Sequence, residues 1–189
     1  MRIITTKEWG AEPPRGDIEM LDEPGFEIVV HHTATSNVED TSPEQAENLA
    51  RSIQQWHFQR GWCDSGQQFT ISRGGYVLEG RHQSLEALTT NRFVIGAHVR
   101  NHNHRRWGIE NEGLYMTEEP PSALWEALVE LCVLICHIQH IDSTAIHGHR
   151  EYVPTDCPGD RLFAQLNELR DAVHERLVNG QIPDLATEG

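Results

Sequence analysis

The sequence predicts a single α/β domain, and three observations carry that expectation. The chain has 189 residues, a length suited to one ordinary domain with a sizeable core. Short apolar runs bounded by turn residues read as strands. Three longer stretches repeat apolar residues at three- and four-residue steps, the spacing of one helix face. No internal repeat or linker interrupts them. The domain is expected over residues 1–178, with 179–189 as a flexible C-terminal tail.

Residues 1–25 are rich in Pro and Gly and read as irregular. Glu27 to Val30 is an apolar run with the look of a buried strand. Ser42-Pro43-Glu44-Gln45 is a helix start, with Ser as N-cap, Pro in the first turn and Gln three residues after the cap. Ala46, Leu49, Ala50, Ile53 and Trp56 then share one face, so this helix runs to about Gln59 and stops at Gly61. Gln68 to Ser72 and Tyr76 to Glu79, joined at Gly74-Gly75, predict a hairpin. Val94 to Val99 and Trp107 to Asn111 are short candidate strands. Ser122 opens a long helix with Leu124, Leu128, Leu131, Cys132, Ile135 and Ile138 in phase. Ala145-Ile146 is a last short strand, and Arg161 to Val178 a third helix.

The formal charge is −14 with 15 Lys+Arg, a poor match to a phosphate backbone. The four cysteines, at 63, 132, 136 and 157, do not form a disulfide framework. Cys63, Cys132 and Cys136 read as buried thiols. Cys157, between Asp156 and Pro158, stands apart. The N-terminus has no apolar core of signal-peptide length, and no apolar run approaches the ~20 residues of a membrane span. The chain as given is therefore expected to be made in the cytoplasm, without membrane insertion.

His149 and Cys157 are ligand-type side chains eight positions apart, across a stretch broken by Pro154. His31 or His32 ends the Glu27–Val30 run, where side chains point into a crevice. Two imidazoles and a thiolate suit Zn²⁺ and leave a fourth position for water. Glu110 and Glu112 alternate along a strand, so they share a face; one near the metal would serve proton transfer. A surface strand also carries two glutamates for solubility alone. The tract His98-Val-Arg-Asn-His102-Asn-His104 allows a metal nuclease reading, which the acidic charge opposes. His98, after Gly96-Ala97, is the better candidate for a substrate contact.

Several segments in order carry a family resemblance over roughly residues 3 to 170. They are Glu8-Trp9-Gly10-Ala11 with Pro13-Pro14, Val30-His31-His32-Thr33-Ala34, Gly61-Trp62-Cys63-Asp64-Ser65-Gly66 and Gly75-Tyr76-Val77-Leu78-Glu79-Gly80-Arg81. Gly96-Ala97-His98, Gly108-Ile109-Glu110, Gly148-His149-Arg150-Glu151 and Thr155-Asp156-Cys157-Pro158-Gly159 follow. With these the chain resembles the type 2 zinc-dependent N-acetylmuramoyl-L-alanine amidases, which include the peptidoglycan recognition proteins and the phage lysozyme-like amidases.

The resemblance implies a central mixed β-sheet flanked by about three main helices, with zinc in a surface groove on His31, His149 and Cys157. It implies hydrolysis of the amide between N-acetylmuramic acid and L-alanine in peptidoglycan, acting on the wall after release or on cytoplasmic muropeptides. Glu110 is the implied base, with Thr155 and Gln67 as polar helpers. His32, His98, Trp62 and Arg81 are the implied substrate contacts. Many members carry Tyr where this chain has Gln67, and a neutral amide exchanges no proton at useful pH. A peptidoglycan-binding module that does not cut is the alternative within the same fold; Cys157 argues against it.

Overall fold

The computed structural model describes residues 1–186. Eight short strands and five helices alternate along it: β1 (Ile3–Ile4), β2 (Met20–Leu21), β3 (Glu27–His32), α1 (Pro43–Gln59), β4 (Phe69–Ile71), β5 (Val77–Glu79), α2 (Ser84–Thr89), β6 (Phe93–Val94), β7 (Arg106–Asn111), α3 (Ser122–Gln139), β8 (Ile146–Gly148), α4 (Asp160–Ala164) and α5 (Leu166–Val178). Six strands form one mixed sheet in the order β1-β5-β4-β7-β3-β8. Only the β4–β5 hairpin is antiparallel; the other four pairings are parallel. The architecture is the single α/β domain expected, with α1, α3 and α5 as the long helices.

Strand alternation divides the sheet into two faces. Ile28, Val30, Phe69, Ile71, Val77, Trp107 and Ile109 point to one side and join the main core with Leu124, Leu128, Leu131 and Leu169 of α3 and α5. Leu78 and Ile4 point the other way, onto Ala46 and Ala50 of α1 and onto Trp9. Sheet strands covered on both faces read as continuous apolar runs, which is why Ile28-Val29-Val30 is wholly buried. The helix start at Ser42 forms as expected: its side chain accepts the Gln45 N–H at 3.2 Å, and Pro43 opens the first turn.

Several elements differ from the expectation. The N-terminal segment contributes β1 and β2, and β2 pairs antiparallel with β6 in a separate small sheet. The strand expected over 94–99 is confined to Phe93–Val94; beyond it the chain turns, with Ala97 N–H donating to Gly66 O at 2.7 Å. The last strand begins at Ile146, since Ser143–Ala145 form a 3-10 turn. The third helix is interrupted at Gln165, yet Leu162, Leu166, Leu169 and Val173 stay on one buried face. Helix α3 is long and apolar enough to cross a membrane, contrary to the sequence reading, but its apolar side is spent on this core. Residues 180–186 run back to the N-terminus, where Ala186 N–H donates to Met1 O at 2.9 Å. The last part of the expected tail, 187–189, lies outside the described residues.

Candidate active-site groove

Register builds the site. Leu78, Thr70, Glu110 and His31 are consecutive partners across β5, β4, β7 and β3, on the sheet face that carries α1. Gly148 of β8 pairs with Val30, so His149, one residue on, extends this row beside His31. The 157 loop completes the group: Arg150 N–H donates to Cys157 O at 3.1 Å, folding the loop back on the turn at His149. His31, His149 and Cys157 thus offer three ligand atoms that all lie within 4.8 Å of one another. This is the group able to hold a metal ion among the described residues.

The dimensions fit a tetrahedral nitrogen–sulfur site. The Nδ1 atoms of His31 and His149 are 3.1 Å apart, and Cys157 Sγ lies 3.6 Å from His31 Nδ1. Metal–nitrogen bonds near 2.0 Å and metal–sulfur bonds near 2.3 Å would separate such donors by roughly 3.3 Å and 3.6 Å. The electrostatics fit as well. Burial, then the neighbouring His98 and His149, holds the His31 imidazole well below its ordinary value, and burial lowers His149. Both rings are therefore neutral and able to ligate. Burial, then the nearby Glu110, pushes the Cys157 thiol up. A cation offsets that, because a coordinating thiol is deprotonated outright. The His32 backbone N–H, 3.4 Å from Cys157 Sγ, already points a donor at the sulfur.

The group opens into a groove of about 320 Å³. Glu110 lies on its floor, partly exposed to it. Burial pushes the Glu110 carboxyl from its ordinary 4.5 to about 8, with the Arg60 guanidinium pulling weakly the other way. Among the described residues its carboxylate has no hydrogen-bond donor. Thr155 lines the groove and is exposed. Its Oγ1 accepts the Cys157 N–H at 3.2 Å, which leaves the hydroxyl proton free for a ligand. Trp62 forms part of the wall, tilted against His57 at 4.6 Å between ring centroids.

Other expected residues are placed differently. Gln67 reaches the groove but is 1% exposed, and its Nε2 donates to Thr70 Oγ1 at 2.9 Å. Its Oε1 has no partner. One of the two amide hydrogens is thus spent within the sheet. Arg81 does not line the groove. It is buried under the 63–66 loop, donating to Ser65 O at 2.9 Å and lying 3.2 Å from Cys63 Sγ, so it clamps that loop. Cys63, expected to be buried, is only half-buried, whereas Cys132 and Cys136 are buried; all four cysteines are free. His32 borders the groove but is 6% exposed, with Nδ1 facing the Tyr115 N–H at 3.3 Å. Glu112 lies beyond the end of β7 and out of the groove, where its carboxylate accepts from Arg73 N–H and Gln45 Nε2. His98 borders the groove, but both its ring nitrogens face protein atoms. His102 packs against Tyr152, so the histidines of the 98–104 tract do not converge.

That α1 builds a groove wall was not anticipated from its spacing. Ile53, Trp56, His57 and Arg60 all line it. Trp56, read as a core residue from its spacing, is 42% exposed. The available signal was a helix ending in Trp56-His57 just before Gly61-Trp62.

Known proteins share this arrangement of elements. Peptidoglycan-recognition protein LB of Drosophila melanogaster is 30% identical over 175 residues, which is 92% of this chain and 71% of that protein. The solved wild-type structure of Drosophila PGRP-LB superposes with a TM-score of 0.76, covering 88% of this chain and 94% of that one. A mutant of PGRP-LB has been solved in complex with tracheal cytotoxin. An N-acetylmuramoyl-L-alanine amidase of Sus scrofa is 35% identical over 162 residues, 84% of this chain; the chain spans only 25% of that relative's length. The family model described as N-acetylmuramoyl-L-alanine amidase matches residues 24–160, from the turn before β3 to the start of α4. That stretch contains every groove residue named above, and the chain belongs to the N-acetylmuramoyl-L-alanine amidase family.

Proposed function

We propose that this chain is a zinc-dependent N-acetylmuramoyl-L-alanine amidase, cleaving the amide between N-acetylmuramic acid and the first L-alanine of the peptidoglycan stem. The observation that carries the reading is one row of the sheet, on which Glu110 neighbours His31, with His149 and Cys157 closing a three-donor group beside it. A binding module needs no ligand set with an open corner and no unpaired carboxylate at its edge.

His31, His149 and Cys157 would hold the zinc ion. When bound, zinc supplies Lewis acidity toward the scissile carbonyl and makes a water acidic near neutral pH. Glu110 then takes a proton from the attacking water on a carboxylate oxygen and passes it to the departing alanine nitrogen. Its raised affinity for protons suits that second role. Thr155 Oγ1 donates its free proton to the oxygen that gains charge. Trp62 and the α1 residues Trp56 and His57 form the wall along which the stem or glycan lies. Gln67, with one amide hydrogen on Thr70 and its Oε1 unpartnered, supports the floor of the groove as a neutral polar group.

Digestion of purified sacculi by the zinc-loaded protein, followed by mass spectrometry, tests this. The expected products are free stem peptides with an N-terminal alanine and glycan strands with unsubstituted lactyl groups. Retention of the protein on sacculi with no such products establishes the second reading, a peptidoglycan-binding module, which the neutral Gln67 in place of the Tyr of many family members favours.

A further inference from the structure

His31 has a second nitrogen, and its partner is not solvent or a carboxylate. His31 Nε2 lies 2.9 Å from His98 Nδ1, and the two rings meet edge to face at 89°. The other nitrogen of His98, Nε2, lies 3.0 Å from the Arg106 carbonyl oxygen. A carbonyl only accepts, so His98 carries its proton on Nε2 and presents Nδ1 as an acceptor. His31 must then carry its proton on Nε2, which leaves its Nδ1 lone pair facing His149 and Cys157.

The His98 ring is also seated sterically. A Cβ at Gly108 would come within 2.6 Å of His98 Cγ, and one at Gly96 within 2.7 Å of His98 Cδ2. Two glycines therefore clear the space the ring lies in. The His98 backbone N–H is fixed in turn by Asn103 Oδ1 at 2.8 Å.

We propose that His98 is a positioning residue: it accepts the His31 Nε2–H and so locks His31 as an Nδ1 ligand. This rests on the metal reading of the His31–His149–Cys157 group. A partner on the far nitrogen of a ligating imidazole fixes its tautomer and orientation, and losing it costs roughly 10–100-fold in metal affinity. The unusual feature is that the partner is itself an imidazole, whose acceptor exists only through its bond to Arg106.

Two measurements test this. Long-range ¹H–¹⁵N spectra of the metal-free protein report histidine tautomers without any metal. The expected result is Nε2–H for both His31 and His98; a His98 ring protonated on Nδ1 overturns the proposal. Zinc affinity, measured by competition with a chromophoric chelator, is then compared for wild type, His98→Ala and His98→Asn, each checked for folding by circular dichroism. The Asn amide oxygen stands near the position of Nδ1. His98→Ala is expected to weaken zinc binding by roughly 10–100-fold and His98→Asn to recover most of the loss. Tight binding by wild type with equal affinity in folded His98→Ala overturns the role of His98. A wild type that binds no zinc overturns the metal reading instead, and leaves the tautomer result standing.

Discussion

Replacing Glu110 with Gln should make the metal-free protein more stable while removing most of its activity. The wild-type carboxyl is held at about 8 against an ordinary 4.5. Between those values the folded chain keeps a proton that the unfolded chain releases, so stability falls as pH rises through this window. At about 1.4 kcal/mol per pH decade the full penalty has a ceiling of almost 5 kcal/mol, and the partial exposure of Glu110 cuts this to roughly 2–3 kcal/mol. Glutamine is close in shape and cannot ionise, so its stability curve lacks that slope. The assay is urea unfolding of both metal-free proteins at several values from about pH 5 to about pH 9. The curves should coincide at the acid end and separate toward the alkaline end, with the variant above. Other titrating groups are common to both proteins and cancel in the difference. On zinc-loaded protein, release of stem peptides should fall by about 10²-fold or more, the usual scale for a lost acid–base group. Parallel unfolding curves would refute the buried carboxyl, and wild-type turnover in the variant would refute its role.

Cys157→Ala should retain fold but lose zinc under conditions where wild type holds one equivalent, as read by elemental analysis after gel filtration. Arg81→Ala should lower stability by about 1–3 kcal/mol through the loss of a buried clamp, leaving the KM of the refolded variant near wild type; a changed KM at unchanged melting temperature would restore Arg81 as a substrate contact. Acid should unfold the metal-free protein early. Burial depresses His98 to about 3 and both His32 and His57 to about 4, and it lowers His31 and His149. The unfolded chain therefore takes up protons below about 6.5 that the folded chain refuses, and these rings lower stability as the pH falls through that range. In the Glu110→Gln variant, which removes the carboxyl whose linkage runs the other way, equal urea midpoints at about pH 7 and about pH 5 would contradict neutral buried rings.

The parts of the fold that were legible are those where one local signal decides. Ser42-Pro43 fixes the start of α1 through a side-chain cap, and Ile28-Val29-Val30 can only be an interior strand. The elements missed are two-residue strands and the six-residue α2, too short to show a period. Residue type and spacing pointed to His149, Cys157 and one of His31 and His32; the family resemblance, not spacing, singled out His31. The neighbours of that set were not legible. Whether His98 touches substrate or His31 depends on Gly108 lying beneath its ring, a contact set by how the 95–105 loop crosses β7. Arg81 follows a glycine in a segment shared with the family, yet its direction depends on the 63–66 loop above it. Spacing along the chain carries none of this.

Holding buried imidazoles and a buried carboxyl together is unfavourable, and the opposite face of the sheet supplies the compensation. Thr70, Glu110 and His31 alternate with Phe69, Ile109 and Val30, each of which is fully buried against the main core. Sliding β7 by one residue would replace Glu110 on the groove floor by Ile109 or Asn111, and it would turn Glu110 into the core. Each apolar side chain removed from burial costs about 1.5–3 kcal/mol, so the slip loses several kcal/mol on Trp107 and Ile109 alone. The slip would also move the Glu110 carboxyl from the groove floor into the apolar core, a further cost rather than a relief. The period-2 pattern that packs α3 onto the sheet therefore also keeps the reactive carboxyl beside His31, and a core substitution such as Ile109→Ala should loosen the site as well as the fold.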